Sequence, residues 1–267
     1  LAKEKLRLDQ LVLRAGLAHD LARAQSLILS GSILVEDRVE TRVGISFDSN
    51  ISIRLRERIK SYVSRGSRKL LGAFESFPSL SVQGKICMDL GASTGGFTQV
   101  LLEQGAIHVL AIDVGYGQLA DRLQKDPRVH VLDRFHIKNL TWDIFKEQIS
   151  SILNHQKPSI LVTIDLSFIS LGSILPGLRN FFLESDLCTM EVVALVKPQF
   201  EIKNTDILEK GILKDRRIAI SILRDTARLV RKELKGILHG LANSPITGAD
   251  GNQEFFMYFS WIKDTRN

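Results

Sequence analysis

The sequence predicts an α/β protein in which a doubly wound, mostly parallel sheet follows a small α+β module. Two observations carry this. From Ile86 onward, short apolar runs alternate with stretches of helical periodicity, the order that builds parallel strands joined by crossover helices. Five of those runs end on an ionisable residue: Asp89, Asp113, Asp133, Asp165 and Lys197. A core strand gains nothing from a terminal charge, whereas open α/β sheets gather ligands at the carboxyl edge of their strands.

In chain order, Leu8, Leu11, Val12 and Ala15 fall at helical spacing and Gly16 closes that helix. Asp20 suits the N-cap of a second helix, with Leu21, Ala24, Leu27 and Ile28 on one face and Gly31 at its end. Ser32 to Val35 and Arg38 to Val39 form an expected hairpin around Glu36-Asp37, and Ile51 to Leu55 alternates as a further strand. This module is assigned residues 1–58, followed by a basic linker over 59–68 and the α/β domain over 69–267. The domain opens with a helix from Lys69 to Phe77, stopped by Pro78. After the run ending at Asp89, strands are expected at His108–Ile112, Val129–Leu132, Ile160–Ile164, Val192–Val196, Ile237–Ala242 and Phe255–Trp261. The last is expected to form an antiparallel edge pair with its neighbour, and a helix is expected over about Arg216 to Leu234.

The chain has a net charge of +6, and its distribution is informative. Residues 1–70 hold 14 Lys and Arg against 8 Asp and Glu, while residues 71–267 hold 22 of each. The excess therefore sits in the first quarter, pointing to a polyanion-binding module ahead of a neutral domain. No stretch approaches the ~18 uninterrupted apolar residues of a membrane helix, and Leu1-Ala2-Lys3-Glu4-Lys5 lacks the apolar core of a secretory signal. Stable membrane association is not expected. Cys87, in a predicted buried strand, and Cys188, in a predicted loop, form neither a disulfide framework nor a metal cluster, so a reducing cytoplasm and no metal are the expectations.

The stretch Asp89-Leu90-Gly91-Ala92-Ser93-Thr94-Gly95-Gly96-Phe97-Thr98 is a strand end, a glycine loop and a helix start. Glycines let backbone approach a ligand closely, and the helix start presents unpaired N–H groups. The dinucleotide fingerprint places glycines at the first, third and sixth loop positions and holds a pyrophosphate, which a carboxylate at Asp89 would repel. The same carboxylate suits the cationic methionine end of S-adenosylmethionine. Asp113 lies about 20 residues beyond the loop, where Rossmann-type sheets place the acid that accepts ribose hydroxyls. The expected cofactor contacts are Asp89, Gly91, Ala92, Ser93, Gly95, Gly96, Asp113, Val114, Asp133 and Arg134.

The order of the N-terminal elements, with Arg7, Arg14, Arg23 and Arg38 around them, resembles the RNA-binding module of small-subunit ribosomal protein S-four. Glu36, Asp37 and Glu40 near the hairpin oppose phosphate. Five further segments are similar to the TlyA family: Ser64-Arg65-Gly66-Ser67-Arg68-Lys69-Leu70; Asp89 to Thr98; Asp165-Leu166-Ser167-Phe168-Ile169-Ser170-Leu171; Val196-Lys197-Pro198-Gln199-Phe200-Glu201; and Ser244-Pro245-Ile246 with Gly251-Asn252-Gln253-Glu254-Phe255. The resemblance spans nearly the whole chain. It implies an S-four-like RNA-binding domain joined to an FtsJ-like, Rossmann-like S-adenosylmethionine-dependent methyltransferase domain. It further implies a ribosomal RNA cytidine-2′-O-methyltransferase activity, with ribosomal RNA or ribosomal subunits as partners, and a Lys-Asp-Lys-Glu tetrad on Lys69, Asp165, Lys197 and Glu254. Arg65 and Arg68 join the four N-terminal arginines as expected RNA contacts.

Chemistry agrees with that tetrad. A ribose 2′-OH is a poor nucleophile and needs its proton accepted and its oxygen aligned. Lys197 is the expected base, since burial and a second cation such as Lys69 favour a neutral amine, while Asp165 and Glu254 position both lysines. Two departures from the family pattern stand out: Asp133-Arg134-Phe135-His136 lacks an expected asparagine, and Gly211-Ile212 replaces an expected glycine pair. His136 is taken as a hydrogen-bonded bystander. Competing readings are a haemolysin-like membrane-active protein, an RNA-binding protein with a silent methyltransferase domain, and a nicotinamide oxidoreductase, the last disfavoured by the loop spacing.

Overall fold

The computed structural model describes residues 4–56, 62–150, 159–202 and 205–263. The chain divides into two compact units, Leu1–Ser61 and Tyr62–Asn267. Of the basic stretch expected to link them, residues 59–61 lie outside the described residues.

The first unit runs β1 (Lys5–Arg7), α1 (Leu8–Arg14), α2 (Leu21–Leu29), β2 (Ile33–Val35), β3 (Arg38–Val39), β4 (Ser46–Asp48) and β5 (Ile53–Leu55). The side chain of Asp20 accepts the Arg23 N–H at 2.7 Å and caps α2. Glu36 and Asp37 have φ of 46° and 66°, and two successive left-handed residues turn β2 into β3 in the sense that matches strand twist. β2 pairs antiparallel with β3 and β5, while β1 pairs with β4. The pair β1 and β4 has no expectation behind it, because three-residue strands are too short to show alternation. Leu8, Val12, Ala24, Ile28, Ile33 and Val35 form the core of this unit. Two of the three acids near the hairpin are paired locally: Arg54 lies 2.8 Å from Asp37 and Arg42 2.7 Å from Glu40. Arg42 holds the Glu40 carboxyl down to about 2.

The second unit contains α3 (Gly66–Ser76), β6 (Ile86–Leu90), α4 (Gly96–Glu103), β7 (His108–Ile112), α5 (Asp121–Gln124), β8 (Val129–Leu132), α6 (Trp142–Ile149) and β9 (Ile160–Ile164). It continues with α7 (Leu171–Glu184), β10 (Thr189–Val196), α8 (Pro198–Glu201), α9 (Arg216–Arg228), β11 (Ile237–Asn243) and β12 (Phe255–Ile262). Its sheet has the order β11-β12-β10-β9-β6-β7-β8. β6 to β10 run parallel, and β12 is antiparallel to both β10 and β11. The order steps outward from β6 in both directions, so its carboxyl edge contains a switch point.

Alternation along the strands builds two layers. Met88, Val162 and Ala194 face a core with Phe145 of α6, Leu175 of α7 and Leu223 of α9. Cys87, Leu161 and Val193 face a second core with Leu70 of α3, Val100 of α4 and Leu123 of α5. Burial pushes the Cys87 thiol up, keeping it protonated.

β11 and β12 form the expected antiparallel pair at the edge of the sheet, with β12 the inner strand: Phe256 and Tyr258 fill one core and Met257 and Phe259 the other, so it lies between β10 and β11. The edge is β11, whose side chains alternate between exposed and half-buried. Helix α3 starts at Gly66, before the expected Lys69, because the buried Ser67 hydroxyl donates to the Gly96 carbonyl at 2.9 Å and holds this turn against the glycine loop.

One contact fixes α3 from the other side. A Cβ added at Gly72 would lie 2.5 Å from Cγ of Pro245, whose ring cannot rotate away. Gly72→Ala is therefore expected to destabilise by about 1–3 kcal/mol despite alanine's better helix propensity, lowering Tm by roughly 2–4 °C per kcal/mol in a domain of this size. A thermal melt with unchanged or raised Tm would show that the contact is not limiting.

Candidate active site

Four elements deliver one ion-paired chain. Lys69 comes from the first turns of α3, Asp165 follows β9, Lys197 follows β10, and Glu254 precedes β12. Lys197 Nζ lies 2.6 Å from Asp165 Oδ1, and Lys69 Nζ lies 3.7 Å from Asp165 Oδ2 and 2.7 Å from Glu254 Oε2. Both lysines and Glu254 are buried, and Asp165 is partly open. Lys197 also donates to the Ser167 hydroxyl at 3.0 Å. The order Glu254, Lys69, Asp165, Lys197 sets two lysines against two acids, so that each buried group of the chain has a partner of the opposite kind.

Two cavities meet beside this chain. One, of about 450 Å³, is lined by all four residues together with Arg65, Gln199 and Phe200. The other, of about 630 Å³, is lined by Asp113, Val114, Phe135, His136 and Leu166. Gly91, Ser93, Asp165, Ser167 and Phe168 border both. Gly91 has φ of 87°, and a Cβ there would sit 2.5 Å from the Asp165 carbonyl oxygen, so only glycine permits the two strand ends to approach. Asp113 organises the loop, its Oδ2 accepting Ser93 N–H at 2.8 Å and its Oδ1 accepting Gly115 N–H at 2.7 Å.

The expected cofactor contacts divide. Gly91, Ala92, Ser93, Gly96, Asp113 and Val114 border the cavities. Asp89 does not: it is the fourth residue of β6, wholly buried, and its carboxylate accepts the Thr98 hydroxyl at 2.7 Å and the Thr163 hydroxyl at 3.2 Å. It supports the loop from beneath rather than facing a ligand. Gly95, which lines neither cavity, turns the chain at φ 94° against Leu119 and Leu123. The Asp133 carboxylate accepts Gly117 N–H at 2.8 Å, and the Arg134 guanidinium covers the Tyr116 ring at 4.0 Å, so the chain turns and presents Phe135 and His136 instead. His136, taken as a bystander, accepts the Lys138 N–H on Nδ1 and borders the cavity. At the second departure from the family pattern, Lys210 and Gly211 both take positive φ, and Asn252 donates to the Gly211 carbonyl at 2.9 Å.

Of the expected RNA contacts, Arg65 borders the smaller cavity and donates to the Thr247 carbonyl, while Arg68 is exposed on α3. In the first unit Arg7 is engaged by Asp9 at 2.8 Å and Arg14 lies 3.7 Å from Glu4, whereas Arg23 and Arg38 are exposed with no ion pair among the described residues.

Two site residues were not singled out in the sequence. Phe168 has φ of 64°, is 90% exposed, and its ring centroid lies 5.1 Å from that of Phe200. An aromatic ring held out in a left-handed conformation is strained and costly unless used. Glu201 Oε1 accepts the Leu171 N–H at 2.6 Å, tying the loop after Lys197 to the start of α7. Burial raises the Glu201 carboxyl above its usual range. Both lie within segments that the family resemblance covers, but neither burial nor backbone strain is visible in residue types.

Residues 62–261 match the FtsJ-like methyltransferase family. The chain belongs to that family. It is similar to the 16S/23S rRNA (cytidine-2′-O)-methyltransferase TlyA of Mycobacterium tuberculosis, at 37% identity over 95% of this chain and 89% of that protein. It is also similar to Hemolysin A of Brachyspira hyodysenteriae, at 36% identity over 95% and 99% of the two chains. A solved Streptococcus thermophilus chain with a provisional hemolysin name superposes at a TM-score of 0.66 with 34% identity, covering 98% of this chain and 90% of that one. Among the described residues no helix of this methyltransferase is long and apolar enough to cross a membrane, and no group of three or more His, Cys, Asp and Glu could hold a metal.

The burial of Asp89 has a measurable consequence. Desolvation pushes its carboxyl up from 3.8 to about 7, against the lowering effect of the Thr98 and Thr163 hydroxyls. A folded-state value above the unfolded one means that the folded chain binds the proton more tightly, so this group's contribution is fully present below pH ~4 and is lost as pH rises toward ~7. Relative to wild type, Asp89→Asn is therefore expected to gain stability between pH 4 and 8 in denaturant titrations. A stability difference independent of pH would contradict the assignment.

Proposed function

We propose that this chain is an S-adenosylmethionine-dependent ribosomal RNA 2′-O-methyltransferase that modifies a cytidine ribose in the cytoplasm, and that residues 1–58 act as an S-four-type RNA-binding module. The observation that carries the reading is the Glu254-Lys69-Asp165-Lys197 chain at the junction of two cavities. The name of the Mycobacterium tuberculosis relative supports the ribose and the base. The exposed Arg23 and Arg38 support an RNA contact by the first unit.

The larger cavity fits S-adenosylmethionine: bare backbone at Gly91, a carboxylate at Asp113 and apolar surface at Val114, Phe135 and Leu166 suit a ligand with a ribose, an aromatic base and a cation. When bound, that cofactor would supply an electrophilic methyl group, with its sulfur departing as a neutral thioether. Lys197 accepts the proton of the ribose 2′-OH as the oxygen attacks, becoming an ammonium that Asp165 already faces at 2.6 Å. Asp165 and the Ser167 hydroxyl fix the direction of Nζ. Lys69 and Glu254 hold Asp165 in place from the other side. Phe168, exposed beside Phe200 at the rim, offers a face on which a displaced base can stack. A positioned base contributes about 10²- to 10⁴-fold, and alignment supplies the remainder.

The test separates a proton acceptor from a mere cation. Lys197→Ala and Lys197→Arg are both expected to lower methyl transfer into unmodified ribosomal subunits by about 10²- to 10⁴-fold while cofactor affinity stays within a few-fold, because arginine keeps the charge but does not give up its proton. Full activity in the arginine variant would remove Lys197 as the base.

A further inference from the structure

The neutral balance of residues 71–267 conceals a separation of charge. Lys214 to Lys235 hold 8 Lys and Arg against 3 Asp and Glu, whereas the remainder of that range holds 14 against 19. The cationic segment is α9 and the wide turn Leu229–Glu233 that follows it, where Leu234 N–H bonds to the Leu229 carbonyl at 3.0 Å. Arg224, Arg228, Arg231 and Lys232 all border one shallow cavity of about 520 Å³. Its floor is Leu238 and Leu241 of the edge strand β11. All four cations are exposed. Arg228 lies 3.7 Å from Asp225, and the other three have no ion pair among the described residues. A row of four exposed cations, three of them without an ion pair among the described residues, over an apolar floor matches the backbone of a nucleic acid, with phosphates on the cations and sugars on the leucines.

The row also points toward the reaction centre. Arg216, at the other end of α9, and Lys214 just before it border a separate cavity of about 390 Å³ together with Pro198 and Gln253. Those two residues adjoin Lys197 and Glu254 in sequence. From Arg216 to Lys232 the helical path is about 24 Å long. We propose that the α9–β11 face is a second RNA-binding surface, one within the methyltransferase domain, which carries the phosphate backbone of the substrate RNA away from the catalytic chain. This rests on the RNA-methyltransferase reading and adds to it a site that the first unit does not provide. An acidic protein would suit the cations, but the reaction itself calls for an RNA at this end of the domain.

The experiment measures affinity for unmodified, protein-free ribosomal RNA between about 50 and 200 mM salt, for wild type and for the variant R224Q/R228Q/R231Q/K232Q. The slope of log affinity against log salt should become shallower by about 3 to 4. KM for RNA should rise at least tenfold with kcat within twofold, and cofactor affinity should be unchanged. R231Q/K232Q, which guards against misfolding of the fuller variant, should shift the slope by about 2. Removing equal charge elsewhere, with K125Q/K146Q, should leave it unchanged. Equal slopes and KM values for wild type and both strip variants would overturn the proposal. So would a strip variant that loses only binding to phosphatidylglycerol vesicles, which would assign the face to a membrane. Failure of the underlying reading looks different: wild type itself would transfer no methyl group to ribosomal RNA, whatever the slopes.

Discussion

Asp165 has to serve two lysines at once, and the architecture of the second unit follows from that requirement. Lys197 and Lys69 are both buried, and each needs a carboxylate within reach. Stripping one partner from such a pair leaves an uncompensated charge that costs about 3–5 kcal/mol. The arrangement therefore depends on α3, the ends of β9 and β10 and the start of β12 arriving at one place. Gly72 against Pro245, Ser67 against the Gly96 carbonyl, and Glu201 against the Leu171 N–H are the contacts that bring them there. Each joins a residue of one site segment to another segment, so the packing that stabilises the fold also aligns the chemistry.

The sequence displays strand ends well because parallel strands buried on both faces are continuous apolar runs, and a charge closing such a run has few structural explanations. Asp113, Asp165 and Lys197 stand out for that reason, and the structure brings all three to the cavities. Side-chain direction is a different matter. Asp89 ends an apolar run equally well, yet Thr98 and Thr163, 9 and 74 residues away, turn its carboxylate into the core. Asp133 and Arg134 are drawn aside by Gly117 and Tyr116. In these cases the deciding partner is supplied by tertiary packing, and spacing along the chain does not contain it.

Net charge shows the same limit. A balanced total for the methyltransferase domain suggests a neutral surface, but Lys214 to Lys235 concentrate cations on one helix while the remainder of residues 71–267 is acidic. Likewise, Glu36, Asp37 and Glu40 look hostile to phosphate until Arg54 and Arg42 are seen beside two of them. What matters for a polyanion is which cations remain unpaired on one face.

The central claim is that Asp165 holds Lys197 in register for proton transfer, and transfer of a tritiated methyl group into unmodified ribosomal subunits by Asp165→Asn tests it most directly. The account predicts label at least about 10²-fold below wild type with the fold intact by circular dichroism, since an amide no longer balances either lysine. Labelling equal to wild type would contradict it.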